Sequence, residues 1–136
     1  AGYGLVPGGR SLAPYEATFT GMKAKELRTW GDQLGIPTQI RELLKQPFDL
    51  GLLLLGDAYL KACRLDAEVQ LGGPVLAFCG SRMAKRLPEL EQLTTVTLGN
   101  KEAKRFSCAL VGLKGQLAGQ LLSDAARDPS RLNFSP

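Results

Sequence analysis

The sequence predicts an α/β fold in which a mixed or parallel sheet of about four strands is flanked by helices. Short apolar runs that end in glycine alternate with segments of helical periodicity, which is the pattern of strands joined by helical connections. The chain has 136 residues, the usual length of one domain. Its 44% hydrophobic and 22% charged residues are typical of a folded chain. We therefore predict a single domain over residues 1–128 and a C-terminal tail over residues 129–136.

The first residues have the composition of a turn that follows a strand. Residues 1–10 are rich in glycine and contain Pro7, and residues 13–19 are expected to be extended because Ala13 precedes a proline. We expect an additional strand and helix before Ala1, unresolved, cleaved or supplied by another chain. Without them, an edge of the sheet stays open, and a chain that starts at Ala1 is expected to aggregate or dimerise there.

Two helices are predicted next. Apolar residues recur at helical spacing from residue 21 onward, which predicts a first helix that ends at Gly35. Ile36, Pro37 and Thr38 predict a break in the chain. A second short helix is then expected to end before Pro47.

Three runs predict strands: residues 48–55, residues 75–79 and residues 94–98. The first two are apolar runs of the kind that form strands buried on both faces. The third run is β-branched and alternates, as in a half-buried strand. A turn at Gly72-Gly73-Pro74 precedes the second strand.

A helix is expected after each strand. Asp57 can cap a helix over residues 58–64, and Asn100 can cap a short helix near the end of the domain. A basic helix over residues 82–87 follows the second strand. An amphipathic helix over residues 113–127 completes the domain.

Several classes of chemistry are excluded or disfavoured by residue counts. The chain has no histidine, which excludes Ser–His and Cys–His catalytic dyads. Its three cysteines, Cys63, Cys79 and Cys108, lack metal-ligand spacing and are predicted to be buried thiols in a reducing compartment. The purely apolar runs, such as residues 52–55 and 75–79, are far shorter than the roughly 20 residues of a membrane helix. We therefore expect a cytoplasmic protein with no metal site, no cofactor and no membrane contact.

The net charge of +4 comes entirely from the C-terminal part of the chain. Eight bases and eight acids precede residue 80, whereas nine bases and five acids follow it. The excess forms a first basic cluster of Arg82, Lys85 and Arg86 and a second basic cluster of Lys101, Lys104 and Arg105. Clustered positive charge is expected of a protein that binds a phosphate backbone. A solvated basic helix face is an equally good interpretation.

Two kinds of glycine motif can bring backbone close to an anion. Gly80 and Ser81 follow a predicted strand and open a helix, although simple turn chemistry also explains them. Residues 112–119 place three glycines, among them Gly115, around Lys114 at the start of a helix. The glycines either let backbone approach a phosphate or let the helix pack closely on the sheet.

Aromatic and acidic residues in the N-terminal loops form a candidate cleft. Tyr3, Tyr15 and Glu16 are predicted to lie beyond the carboxyl ends of the strands, where α/β proteins form their sites. The tyrosines can stack on a base or anchor an irregular loop. Glu16 is the candidate general base if burial raises its pKa.

The N-terminal motifs resemble the YaaA-type peroxide-stress family and its shorter bacterial relatives. The family has a strand ending in Ser-Ala-x-Tyr-Gly-Leu and then a Pro-Tyr-(Asp/Glu/Arg) segment, which Tyr3-Gly4-Leu5 and Pro14-Tyr15-Glu16 match. The sequences around Gly56-Asp57-x-Tyr59 and Cys79-Gly80-Ser81, and residues 112–119, are also similar. This chain departs from the family in lacking the N-terminal strand and in having one lysine and no arginine in residues 112–119.

The resemblance implies an α/β protein that binds DNA and protects it during oxidative stress, with related domains in base modification and phage defence. It also implies a cleft formed by Tyr3, Gly4, Tyr15 and Glu16, and a basic glycine segment at Lys114 and Gly115. Our leading hypothesis is nucleic-acid binding through both basic clusters and Lys114. The alternatives are an enzyme acting on a nucleotide or modified base at the tyrosine cleft, and a structural subunit that pairs with itself or with a second protein chain.

Overall fold

The computed structural model describes residues 1–105 and 110–132 of the chain. Strands and helices alternate after two initial helices, as expected for an α/β fold. The elements are α1 (Ala24–Gln33), α2 (Ile36–Lys45), β1 (Gly51–Leu53), α3 (Asp57–Cys63), β2 (Val75–Cys79), α4 (Ser81–Ala84), β3 (Leu93–Thr97), α5 (Asn100–Arg105), α6 (Leu110–Arg127) and a 3₁₀ turn (Pro129–Leu132).

The sheet is parallel and has the strand order β1-β2-β3. Gly51 pairs with Val75, and Val75 pairs with Leu93, so the central strand β2 is hydrogen-bonded on both sides. Parallel neighbours need a crossover connection, which α3 and α4 supply. The predicted α/β class is confirmed, with three strands in the described residues where about four were predicted.

The first predicted strand is shorter than its apolar run. Of residues 48–55, only Gly51–Leu53 forms β1. The N-terminal residues form no strand of the sheet, and the Leu5 N–H instead donates to the Gln39 side-chain oxygen at 3.0 Å. Within residues 1–105 and 110–132, the outer edge of β1 therefore carries no strand. Association through this edge stays a prediction.

Each face of the sheet has its own core because side chains alternate along β2. Val75, Ala77 and Cys79 face the first core, which also contains buried residues of α1, α2, α3 and α4. Leu76 and Phe78 face the second core, where Leu113 of α6 is fully buried. The fold is thus three-layered, with α1–α4 on one face and α5 and α6 on the other.

The N-terminal helices differ from the prediction at their boundaries. α1 begins at Ala24 rather than near residue 21. The predicted break at Ile36-Pro37-Thr38 is wrong, since α2 begins at Ile36 and Pro37 lies in its first turn. Proline is tolerated there because the first helical N–H groups have no partner within the helix. Gly35, with φ of 67°, makes the turn between the two helices.

The predicted helix caps are also corrected. Gly56, not Asp57, precedes α3, and no side chain caps that helix. At α5, the Glu102 carboxylate accepts a hydrogen bond from the Gly99 N–H at 2.8 Å. A glutamate at the third helical position can reach back to the residue before the helix, so it replaces the predicted cap by Asn100.

The remaining predicted helices are present with altered lengths. The basic helix is only one turn long, Ser81–Ala84, and the last helix begins at Leu110 and ends at Arg127 as predicted. The predicted tail begins with a 3₁₀ turn over Pro129–Leu132. Its last residues, 133–136, lie outside the described part of the chain.

The N-terminal segment is anchored to the first core. The Trp30 indole N–H donates to the Ala1 carbonyl at 2.7 Å. Phe19 is 1% exposed and packs edge-to-face on Tyr59 of α3, with ring centroids 5.1 Å apart. Residues 1–19 therefore cover α1, α2 and α3 without entering the sheet.

Candidate functional site

Tyr3 and Tyr15, two residues of the predicted cleft, contact each other. Their rings pack edge-to-face with centroids 5.2 Å apart, and the Tyr3 hydroxyl donates to the Ala13 carbonyl at 3.3 Å. A Cβ on Gly2 would lie 2.6 Å from the Tyr15 ring, so this glycine lets the ring lie on the backbone. These contacts show how the two tyrosines anchor the N-terminal loop.

Gly4 and Glu16, the other predicted members of this cleft, have different surroundings. Gly4 has φ of 74°, and a Cβ there would lie 2.8 Å from the Leu34 carbonyl oxygen, so glycine is required at the corner between α1 and α2. Glu16 is exposed and has no hydrogen bond or ion pair with any described residue. Its surroundings supply neither the burial nor the partner that would prepare a general base.

A second group of predicted residues meets where the parallel strands end, which we call the carboxyl edge of the sheet. The Lys114 ammonium, from α6 on one face, donates to the Leu55 carbonyl at 2.5 Å just beyond β1. Burial raises the pKa of the Cys79 thiol, the charge of Lys114 lowers it, and the charge of Asp57 raises it. Gly80, Lys114 and Asp57 therefore lie around the end of β2, as expected for an α/β site.

The glycines of residues 112–119 are not explained by close packing. A Cβ added at Gly112, Gly115 or Gly119 would meet no atom within 4 Å. They lie on the open side of α6, whereas Leu113 and Ala118 are buried. Close packing on the sheet therefore does not account for these glycines, and approach of α6 backbone to a ligand stays a prediction.

The two basic clusters lie on opposite faces of the sheet but start from the same edge. The first cluster is on α4 and the turn after it, and Met83 of α4 packs in the first core. The second cluster is on α5, whose Ala103 packs in the second core. Ser81 opens α4 just beyond the end of β2, and α5 opens just beyond the end of β3. The clusters therefore flank the carboxyl edge from two sides.

All six side chains of the clusters are exposed and unneutralised. The ion pairs Arg41–Asp66 and Arg64–Asp32, each 2.6 Å long, both lie in the first half of the chain. In the described part of the chain, no side chain of either cluster takes part in an ion pair. The positive charge of the second half is therefore available to a ligand.

A cavity of about 760 Å³ lies between α1, α3, α4 and the segment that precedes α1. We call it the α1–α3–α4 cavity. Its apolar floor includes Phe19, Leu27, Leu60, Met83 and Leu87, all buried. Four cationic side chains line it as well, Arg28, Lys61, Arg64 and Arg86, together with Asp57 and Tyr59.

Sequence reasoning missed most of this cavity. Only Arg86 was among the predicted site residues. A signal was present on α3, because Asp57 and Lys61 are four residues apart and so share one helix face. Nothing in the sequence pattern brings Arg28 of α1 to the same place, since that depends on how α1 packs against α3.

Within the described part of the chain, no group of three carboxylates or thiols is placed to hold a metal ion. None of the helices described there is long and apolar enough to span a bilayer. Comparison with protein-family models, with curated proteins and with solved structures found no significant match.

Proposed function

We propose that the protein binds nucleic acid at the carboxyl edge of its sheet, in the cytoplasm. The observation that carries the proposal is the position of the two basic clusters, which are exposed, unneutralised and placed on either side of that edge. A phosphate backbone crossing the edge would meet positive charge on both faces. Neutralised phosphates release counterions, which is the main source of affinity in such complexes.

No acidic residue forms an ion pair with a cluster side chain in the described residues. Glu102 is held by the Gly99 N–H at the start of α5. Asp57 lies near Cys79 at the end of β2, at the start of α3 on the side of the first cluster. The second cluster and the open glycine side of α6 therefore form the more favourable half of the surface, where backbone can approach a phosphate closely.

The resemblance to the YaaA-type family supports the same proposal. It rests on Tyr3-Gly4-Leu5 and Pro14-Tyr15-Glu16, and it implies DNA binding, with protection during oxidative stress or phage defence as the biological role. No hydrogen bond, ion pair or ring contact joins the tyrosine pair to the basic clusters in the described residues. We therefore assign the phosphate contacts to the clusters and Lys114, and the tyrosine pair to support of the N-terminal loop.

Fluorescence anisotropy with labelled duplex and branched DNA tests the proposal. Binding is expected at low salt and should weaken steeply as salt rises. The variant K101Q/K104Q/R105Q should weaken binding, whereas the matched control R10Q/K25Q/K45Q removes three exposed bases outside the clusters and should bind like the wild type. Absence of binding at low salt, or binding indifferent to salt, would contradict the proposal.

A further inference from the structure

We propose that the α1–α3–α4 cavity binds a nucleoside phosphate, either free or as one nucleotide of a strand. The inference rests on the cavity alone and does not depend on binding at the carboxyl edge. Three features identify the ligand: an apolar floor, a cationic lining drawn from α1, α3 and the turn after α4, and one carboxylate without a hydrogen bond in the described residues.

The floor has the size and chemistry for a planar base. A volume of about 760 Å³ lies within the usual range of small-molecule sites, roughly 300–1,000 Å³. Phe19 and Leu60 are each 1% exposed and lie at the bottom of the cavity. Met83 adds a polarizable thioether, which makes favourable contacts with aromatic rings. A flat aromatic group therefore gains more here than a polar one.

The cations are positioned for a phosphate group. Arg28 comes from α1, Lys61 from α3 and Arg86 from the turn after α4, and each is exposed without an ion pair among the described residues. Arg64 is held by Asp32 at 2.6 Å and so belongs to the fixed wall. Guanidinium and ammonium groups form strong charge-assisted hydrogen bonds with phosphate oxygens.

Asp57 selects among phosphorylated ligands. Asp57 lines the cavity, and its carboxylate has no hydrogen bond with a described residue. A carboxylate accepts hydrogen bonds and repels anions, so the ligand must present N–H or O–H donors at some distance from its phosphate. The sugar hydroxyls and the base amino groups of a nucleotide are such donors. Inorganic phosphate and fatty acyl anions lack this combination.

Isothermal titration of the full chain with adenosine, guanosine, cytidine and uridine 5′-monophosphates tests the proposal. At least one nucleotide should bind, and the matching nucleoside and inorganic phosphate should each bind at least about tenfold more weakly. A 5′-phosphorylated single-stranded oligonucleotide added to the saturated complex distinguishes the two sources. Displacement of the nucleotide means that the cavity accepts a strand, and retention means that it takes the free nucleotide.

Three variants locate the binding. Arg28→Gln and Lys61→Gln should each weaken nucleotide binding about tenfold or more, and Ala24→Phe should block the cavity from an exposed position without altering the core. The control Lys25→Gln is also exposed on α1 but does not line the cavity, so it should have no effect. Circular dichroism melting confirms that each variant is folded.

The inference is wrong if no nucleotide binds at millimolar concentration, or if inorganic phosphate binds as well as every nucleotide. It is also wrong if K101Q/K104Q/R105Q abolishes nucleotide binding while Arg28→Gln and Lys61→Gln leave it intact. That last result would place the ligand at the carboxyl edge. These outcomes are measured with mononucleotides, whereas DNA binding by the wild type is measured separately by anisotropy. Failure of the cavity proposal can therefore be told apart from failure of the proposed function.

Discussion

At the scale of single residues, the buried thiol of Cys63 in the first core makes the stability of the fold depend on pH. Burial raises the pKa of Cys63 to about 11 from an ordinary value near 9. The folded state therefore keeps the thiol proton at pH values where the unfolded chain loses it. This contribution to stability is fully present below pH 9 and is lost as pH rises toward 11.

We expect the loss to reach roughly 2 kcal/mol in the free energy of unfolding. Urea titrations between pH 8 and pH 11 measure it. Other groups titrate in this range, so the comparison is with Cys63→Ala, which should show a shallower decline with pH. Equal declines in the two proteins would mean that the Cys63 thiol does not contribute.

The turn before β2 depends on glycine at both Gly72 and Gly73, where an added Cβ would lie about 2 Å from a backbone carbonyl oxygen. A Cβ on Gly72 would lie 1.9 Å from the Gln46 carbonyl oxygen, and the Gly72 N–H donates to the Leu44 carbonyl at 2.7 Å. Gly72→Ala must therefore displace backbone, at an expected cost of at least about 2 kcal/mol.

Gly8→Ala is the matched control for this prediction. A Cβ on Gly8 would meet nothing within 4 Å, so the change in stability should stay within about 0.5 kcal/mol. Thermal melts of both variants give the comparison. Similar melting temperatures for the two would show that the turn adapts without cost.

The residues of this turn were predicted, but its packing was not. Gly72-Gly73-Pro74 has the composition of a turn, which local chemistry alone indicates. The close approach to Gln46 joins segments separated along the chain, and no local pattern reports such a contact. The same holds for Gly4. The family resemblance implies that Gly4 forms part of a cleft, whereas its close approach to the Leu34 carbonyl explains why this position is glycine.

At the scale of elements, α6 carries glycines that its own stability does not require. Gly115 is exposed in the helix, and a Cβ there would contact nothing within 4 Å. Gly115→Ala should stabilise the protein by about 0.5–1 kcal/mol, because alanine loses less conformational freedom in a helix. A rise of a few degrees in melting temperature is expected.

The same variant reports on ligand approach. If α6 backbone comes close to a phosphate, the added methyl group should weaken DNA binding in the anisotropy assay while the melting temperature rises. Opposite shifts in stability and binding would identify a functional glycine. Unchanged binding would mean that the α6 backbone does not contact the nucleic acid.

The elements were predicted best where burial is complete. The run at residues 75–79 gave β2 with its predicted bounds, because a strand buried on both faces is apolar throughout. β1 is shorter than its run, since apolar residues beyond a strand can also pack from a loop, as Phe48 and Leu55 do in the first core. The predicted starts of α2 and α5 were wrong, because Pro37 lies in the first turn of α2 and Glu102 in the first turn of α5 caps that helix.

At the scale of the whole molecule, the sequence predicted the charge but not its arrangement. The two basic clusters are read directly from the sequence, and both are exposed in the fold. Their placement on opposite faces follows from α4 packing in the first core and α5 in the second core. The cavity is harder to predict from the sequence than the clusters, because Arg28, Lys61 and Arg86 come from separate parts of the chain that only tertiary packing brings together.

The salt dependence of DNA binding, measured for each basic cluster separately, tests the central claim most directly. Each phosphate neutralised on duplex DNA adds about 0.9 to the magnitude of the slope of log K against log salt concentration. We predict that R82Q/K85Q and K101Q/K104Q/R105Q each lower that magnitude by about 1–3, while R10Q/K25Q/K45Q leaves it unchanged. A wild-type slope near zero, or cluster variants with the wild-type slope, would contradict binding of nucleic acid across the carboxyl edge.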